Sequence, residues 1–441
     1  MIHPSSSPLW KKSDAAATLE DQVMRFTVGE DYRWDTLLLP YDIQATRAHA
    51  WGLAEIGILT QTEFDAVTEA LDALAEQERA VRPEDEDSHT VIENCLTEAL
   101  GDTGRKIHTG RSRNDQVLAA LRLYLRDALL EVMQQTADMV RILCQWGKEG
   151  DSWLIPGYTH MQRAMPATVG LWAMGFAELL TVDIERLQEA AKRINVSPLG
   201  SAAGYGVPAL ALPRKKMARQ LGFDGVQEHV TAVQLSRGKL EMDVVHALAQ
   251  IAATCNRLAA DIVLYHTAEF GFLKPADTYG TGSSIMPQKR NPDVPELVRA
   301  SYHRILAEMQ LLASLPANLP SGYHRDLQLT KEAVLRTVHT ASNVTGAMTV
   351  VLRDMRFDRK RLDQAVSPDL FATARAMGMV QEGTPFREAY RRTAGEPDAV
   401  RKPPAQEALE AYRVDGYPGQ CRPDLIIERL NRIDTESDKA E

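Results

Sequence analysis

QVLAALRLYLRDALLEVMQQTADMVRILCQW, residues 116–146, runs without a glycine or a proline. Its apolar side chains fall at Leu118, Leu121, Leu125, Leu129, Val132, Val140 and Leu143. Steps of three and four, or their sums, put these on one face of a long helix. Comparable stretches cover residues 167–194, 228–270, 296–314 and 326–352, each rich in Ala, Leu, Met and Glu, all good helix formers. Between Val244 and Leu264 the stretch 228–270 is apolar on nearly every side, which predicts a helix surrounded by protein. Period-two strands are scarce, and there is no short-period repeat or low-complexity tract. The expected fold is all-α, with five long helices forming a central bundle.

A chain of 441 residues exceeds what one hydrophobic core serves and implies two or three domains. Apolar residues at 44% and charged residues at 25% match ordinary globular usage. The net charge of −10 lacks the basic footprint of a nucleic-acid binder, so any anion site is local. Cys95, Cys144, Cys255 and Cys421 are far apart and form no CxxC pair, against both a disulfide framework and a zinc site. The N-terminus MIHPSSSPLWKKSDAA lacks the apolar core of a signal peptide. Residues 244–255, interrupted by His246 and Gln250, fall short of the roughly 18 apolar residues of a membrane helix. Together these lead to the expectation of a soluble cytoplasmic protein. Polar breaks at residues 102–113 and 356–360 divide the chain into 1–110, 111–355 and 356–441, and the charged tail after Arg432 is expected to fray.

Four polar segments interrupt the helical pattern: DSHTVIE (87–93), HTGRSRNDQ (108–116), PGYTHMQRAMP (156–166) and GSSIMPQKRNPD (282–293). Ser112 with Asp115, and Thr159 with Gln162, fit capping boxes that would only start helices. Arg111, Arg113 and Asn114 beside a helix N-terminus also make a carboxylate site. Asp87, His89 and Glu93 are a poor zinc set, with one histidine and no HExxH, so no metal is expected. His160 sits in a loop and titrates near neutrality when unperturbed. In the last segment, Ser283 could act as a base if Lys289 and backbone N–H groups stabilise its oxygen. Gly280 and Gly282 would let the loop, 280–293, close over substrate.

GSSIMPQKRNPD resembles the signature of the fumarase/aspartase superfamily, and TGRSRNDQV (109–117) with PGYTHMQRAMP resembles its argininosuccinate lyase branch. HTVIE, SPLGSAAGYG (197–206), AEFGF (268–272) and GYHRDLQLTKE (322–332) extend the likeness from about Phe26 to Tyr390. The resemblance implies a three-domain fold whose long-helix bundle assembles into a homotetramer, with each active site drawn from three subunits. It implies cofactor-independent cleavage of argininosuccinate to arginine and fumarate. Ser283 would take the proton from the carbon beside a carboxylate, with Lys289 and Asn291 stabilising the resulting aci-carboxylate. His160, paired with Glu296, would donate or relay a proton to the departing nitrogen or bind a carboxylate. Arg113, Asn114, Thr159, Tyr323, Gln328 and Lys331 match substrate-binding positions, with Ser112 and His89 beside them.

FTVGED (26–31), LSRGKLE (235–241) and His324 depart from the branch. Gly29 stands in a segment that often carries serine, Arg237 in place of an SDRD-like motif, and His324 where asparagine is usual. These departures touch recognition of the leaving amine more than the elimination. They leave two alternatives: a sister lyase releasing fumarate from another N-substituted aspartate, and a non-catalytic relative such as the lens delta-crystallins.

Overall fold

The computed structural model describes residues 21–437, apart from residues 78, 275 and 277. The expectation about a signal peptide in residues 1–20, and the chain end beyond residue 437, lie outside the described residues. The helices that build the site are α1 (Asp31–Glu55), α2 (Ser88–Leu100), α3 (Arg113–Glu149), α4 (Val169–Ile194), α5 (Lys239–His266), α6 (Asp293–Ser314) and α7 (Leu329–Asp354), with α8 (Pro423–Ser437) near the C-terminal end. Strands among the described residues occur only as two-stranded pairs. Those that bear on the site are β1 (Leu154–Thr159) with β2 (Gln162–Thr168), and β3 (Thr281–Gly282) with β4 (Arg290–Asn291). The fold is all-α.

The sequence periodicity is realised in α3. Leu118, Leu121, Leu125, Leu129, Val132, Val140 and Leu143 are each at most 2% exposed. Each fully buried leucine is worth about 1.5–3 kcal/mol. Residues 228–270 do not form one helix, however. A short helix, Val230–Leu235, ends in a turn through Ser236, Arg237 and Gly238, and α5 starts at Lys239. Gly238 takes φ +80°, a left-handed conformation that a Cβ opposes. The break lifts Arg237 out of the helical path while leaving it buried.

Helix α5 also corrects the membrane argument, because by length and composition it could cross a bilayer. Three of its polar side chains nonetheless bond to protein. Thr254 donates to Asp183 at 2.6 Å, Asn256 donates to the Arg299 carbonyl at 2.9 Å, and Asp261 accepts from the Trp172 indole at 2.9 Å. Such bonding marks an interior helix.

The chain forms two compact units. The first comprises the chain up to Leu130, Gln188–His246 and Leu306–His339; the second comprises Glu131–Leu187, Ala247–Ile305 and the chain from Thr340 onward. Each of the five long helices α3 to α7 therefore has one end in each unit. The first unit packs Leu39, Ile43, Leu53, Val67, Leu71 and Leu96 into one cluster. The second holds an aromatic chain, in which Trp146 and Trp172 both meet Phe357 edge-on at centroid distances of 5.3 and 5.8 Å. Such pairs add about 0.5–1.5 kcal/mol each beyond their burial.

The segment after Arg432 is helical to Ser437. One turn earlier, Arg429 grips Glu185 through two 2.6 Å hydrogen bonds. All four cysteines are free thiols. Burial pushes Cys144 up to about 11 and Cys255 up to about 12, and raises Cys95 and Cys421 as well.

Candidate active site

In the first unit a cleft opens among α1, the start of α2, the start of α3, the turn at Arg237 and the start of α7. Helix α1 supplies its floor. Asp31, Asp35, Asp42, Thr46 and His49 are spaced by 4, 7, 4 and 3 residues, which places them on one helical face. The last four are at most 1% exposed. Lys331, at the first turn of α7, donates to both oxygens of Asp35 at 3.0 Å and lies 3.2 Å from Asp31. Burial pushes Asp35 up to about 6 despite the lysine beside it. Burial opposes the Lys331 charge too, but Asp35 and Asp31 outweigh it and raise its pKa.

Helix α2 begins with Asp87 as its cap, the carboxylate accepting from the Thr90 N–H at 2.9 Å, a typical N-terminal device. His89 follows, its Nδ1 2.5 Å from Asp42 of α1. Ser88 donates to the same Asp42 oxygen at 3.0 Å. Burial disfavours the imidazolium, yet Asp42 and Asp87 together raise the His89 pKa. Arg113, the first residue of α3, lies 3.0 Å from Glu86 and 3.3 Å from Asp87 and donates to Thr90 at 2.8 Å.

The start of α3 is fixed by Asp115, which is fully buried. Its carboxylate accepts from the Ser112 N–H at 3.0 Å and from Gly200 and Ala202 at 2.9 Å each. The Ser112–Asp115 reading as a cap is thus half realised, since the Ser112 hydroxyl accepts from Asn114 rather than from Asp115. Across the cleft, the Arg237 guanidinium sits 5.0 Å over the Tyr323 ring. Gln328 and Arg325 both donate to the Thr27 carbonyl, at 3.1 and 3.0 Å. His324, one of the departures, turns to the Pro320 carbonyl at 3.1 Å.

The remaining candidates belong to the second unit. Thr159 and Gln162 do not cap a helix: they are the closing pair of the β1–β2 hairpin. The two residues between them, His160 and Met161, have φ +52° and +58°, the type I′ signature. His160 is thereby presented, exposed, at the hairpin tip.

In the loop, pairing of Thr281 with Asn291 and of Gly282 with Arg290 closes the base. Ser283 sits just inside. Its Oγ accepts N–H bonds from Ile285 at 3.3 Å and from Met286 at 3.0 Å, so backbone donors already aim at the oxygen where an alkoxide would form. Lys289 is exposed on the far arm. Glu296, in the first turn of α6, lies 3.8 Å from Arg299.

His89, Arg113, Asn114, Tyr323, Gln328 and Lys331 therefore line one cleft. Ser112 adjoins them in the chain, while Thr159, His160, Ser283, Lys289, Asn291 and Glu296 stand on the hairpin, loop and helix of the other unit. Among the described residues no group of three or more His, Cys, Asp or Glu is arranged to hold a metal. Of the trio weighed for metal, Asp87 caps α2, His89 holds Asp42, and Glu93 lies 3.4 Å from His108. Sequence reading missed Asp31, Asp35, Asp42, Glu86 and Arg325. The first three had a signal in their helical spacing on α1, and the other two had none.

The pattern of a family described as lyase matches residues 18–307. The argininosuccinate lyase of Sorangium cellulosum is 43% identical over 96% of this chain and 98% of its own length. That of Thermotoga neapolitana is 41% identical over 88% and 98%. Among solved structures, an EDDS lyase in complex with formate superposes with a TM-score of 0.77 at 24% identity, covering 96% of this chain and 91% of that one.

Proposed function

The chain belongs to the argininosuccinate lyase family, and on that premise we propose that it is a carbon–nitrogen lyase that splits argininosuccinate into arginine and fumarate. Ser283 takes the proton from the carbon beside a carboxylate of the succinyl part. The electron pair moves onto that carboxylate as an aci-carboxylate, which Lys289 and Asn291 stabilise. Collapse of this dianion forms the carbon–carbon double bond of fumarate and breaks the C–N bond. The departing guanidino nitrogen then receives a proton, with His160 and Glu296 as the group that serves it. No cofactor takes part.

The single observation that carries the reading is the pair of backbone N–H groups on Ser283 Oγ. Hydrogen bonds to the charged form lower the cost of making it. Lining the cleft, Asp31, Asp35, Glu86 and Asp87 face Lys331, Arg113, Arg237 and Arg325, and this mixture suits a substrate bearing both carboxylates and cations. Thr159 and Ser112 complete the set of substrate contacts.

We further propose a cytoplasmic homotetramer in which each site draws on three subunits, and the three-segment division 1–110, 111–355 and 356–441 as its domain plan. The test is to mix purified protein with argininosuccinate and follow fumarate by its ultraviolet absorbance together with released arginine. No fumarate from a verified tetramer sinks the assignment. Fumarate from another N-substituted aspartate, but none from argininosuccinate, makes the protein a sister lyase. Ser283→Ala should lower turnover by at least about 10³, by comparison with the loss of one oxyanion donor. Turnover within tenfold of the parent would move the base elsewhere.

A further inference from the structure

Glu86 is the one cleft residue whose backbone is strained. The short turn Pro83–Asp85 ends at Glu86 with φ +66° and ψ −56°, and the Asp87 N–H donates across it to the Asp85 carbonyl at 2.8 Å. That is a γ-turn of the rare, positive-φ kind, an unfavourable conformation for a residue with a Cβ. Strain of this sort persists only where surrounding contacts hold it. Here the contacts are two cations: Glu86 Oε2 lies 3.0 Å from Arg113, and Oε1 lies 3.9 Å from Arg325. The Glu86 side chain is only 14% exposed, whereas that of Arg325 is 60% exposed.

The same pattern runs around the cleft. Lys331 is taken up by Asp35 and Asp31, and Arg113 by Glu86 and Asp87. Arg237 has no carboxylate in ion-pair contact among the described residues, and its Nε and Nη1 are buried without a hydrogen-bond partner. A carboxylate ligand thus meets cations that the chain has largely neutralised from within. Asp87 and Asp35 cannot readily leave, since one caps α2 and the other is buried in α1. Glu86 can: its side chain caps nothing, only its N–H closing the short turn on the Pro83 carbonyl at 3.4 Å, and leaving its partners would let its backbone relax.

We propose that Glu86 is a built-in competitor for the substrate carboxylate. It holds Arg113 and Arg325 in the place of a ligand carboxylate, and a bound carboxylate takes both cations from it while the 85–87 turn leaves its strained conformation. Glu86 therefore sets the affinity for carboxylates without touching the reacting atoms. The inference rests on the cleft receiving part of the substrate, as in the proposed function, but not on turnover.

The experiment measures binding by calorimetry on the assembled full-length protein with two probes, succinate as a dicarboxylate and agmatine as a guanidinium without a carboxylate. Glu86→Gln should tighten succinate about tenfold, the size of one charge-assisted hydrogen bond returned to the ligand, and change agmatine less than threefold. Glu86→Gly, which removes the carboxylate and the strain together, should tighten succinate equally and melt no lower than the parent. Arg325→Gln should weaken succinate more in the Glu86→Gln background than alone, because only there is the arginine released. Unchanged or weaker succinate binding in both Glu86 variants overturns the proposal. Loss of agmatine binding with succinate unaffected also overturns it, assigning Glu86 to the cationic end of the substrate. Because the readout is binding, failure of the parent to turn over argininosuccinate would undo the lyase reading while leaving this result to stand or fall separately.

Discussion

Replacing Lys331 by methionine keeps most of the aliphatic stem and removes the charge, leaving Asp35 buried at 1% exposure with its principal partner gone. With the lysine present Asp35 already titrates near 6, above its ordinary value near 3.8. In the variant its folded pKa must rise further, because burial remains and the ammonium does not. Below pH 6 the carboxyl is protonated in both proteins, and the deficit is the lost charge-assisted hydrogen bonding, about 2 kcal/mol. Above pH 6 the parent ionises Asp35 and the variant does not. The variant then binds an extra proton, and its deficit grows by about 1.4 kcal/mol per pH unit. Near pH 7 the loss should be about 3 kcal/mol, within the range for breaking a buried ion pair from one side. Urea unfolding at fixed protein concentration, at pH 5.5, 7 and 8.5, reads the difference directly. Adding Asp35→Asn should remove the pH-dependent part. A deficit that is flat with pH, or that shrinks as pH rises, would refute the reasoning.

Two further outcomes follow from the same geometry. The His89 pKa is raised in the folded state, so its contribution to stability is fully present below the ordinary histidine value and is lost as pH rises through the folded value. His89→Asn should therefore cost more at pH 6 than at pH 9 by urea midpoint, and a gap that widens with pH contradicts the Asp42 pairing. Met161, 65% exposed at φ +58°, loses little burial on change to glycine. Met161→Gly should raise stability by up to about 1 kcal/mol, and a lower melting temperature would mean that its side chain is used.

Helices were legible in the sequence wherever one face is buried, because burial enforces the spacing that periodicity detects. Leu118 to Leu143 on α3 are the clear instance. The break before α5 was not, since Gly238 looks like any tolerated helical glycine until its φ is known. Nor was the hairpin that carries His160. Its turn has His-Met where Asn-Gly would announce a type I′ turn, and local strain is accepted there against propensity. The polar stripe on α1 was present in the residue order, but it was hidden because a buried polar face has the period of an apolar one. Glu86 had no local signal at all: its partners come from α3 and from the turn before α7, distant in sequence.

The cysteines have a practical consequence. With Cys144 and Cys255 buried and all four thiols held protonated at neutral pH, the native chain offers maleimide reagents little to react with. A cysteine placed at Ile285, which is 82% exposed at the crown of the serine loop, would stand almost alone as a target. A fluorophore there would follow the loop in real time through a catalytic cycle, on a protein that needs no prior removal of its own thiols.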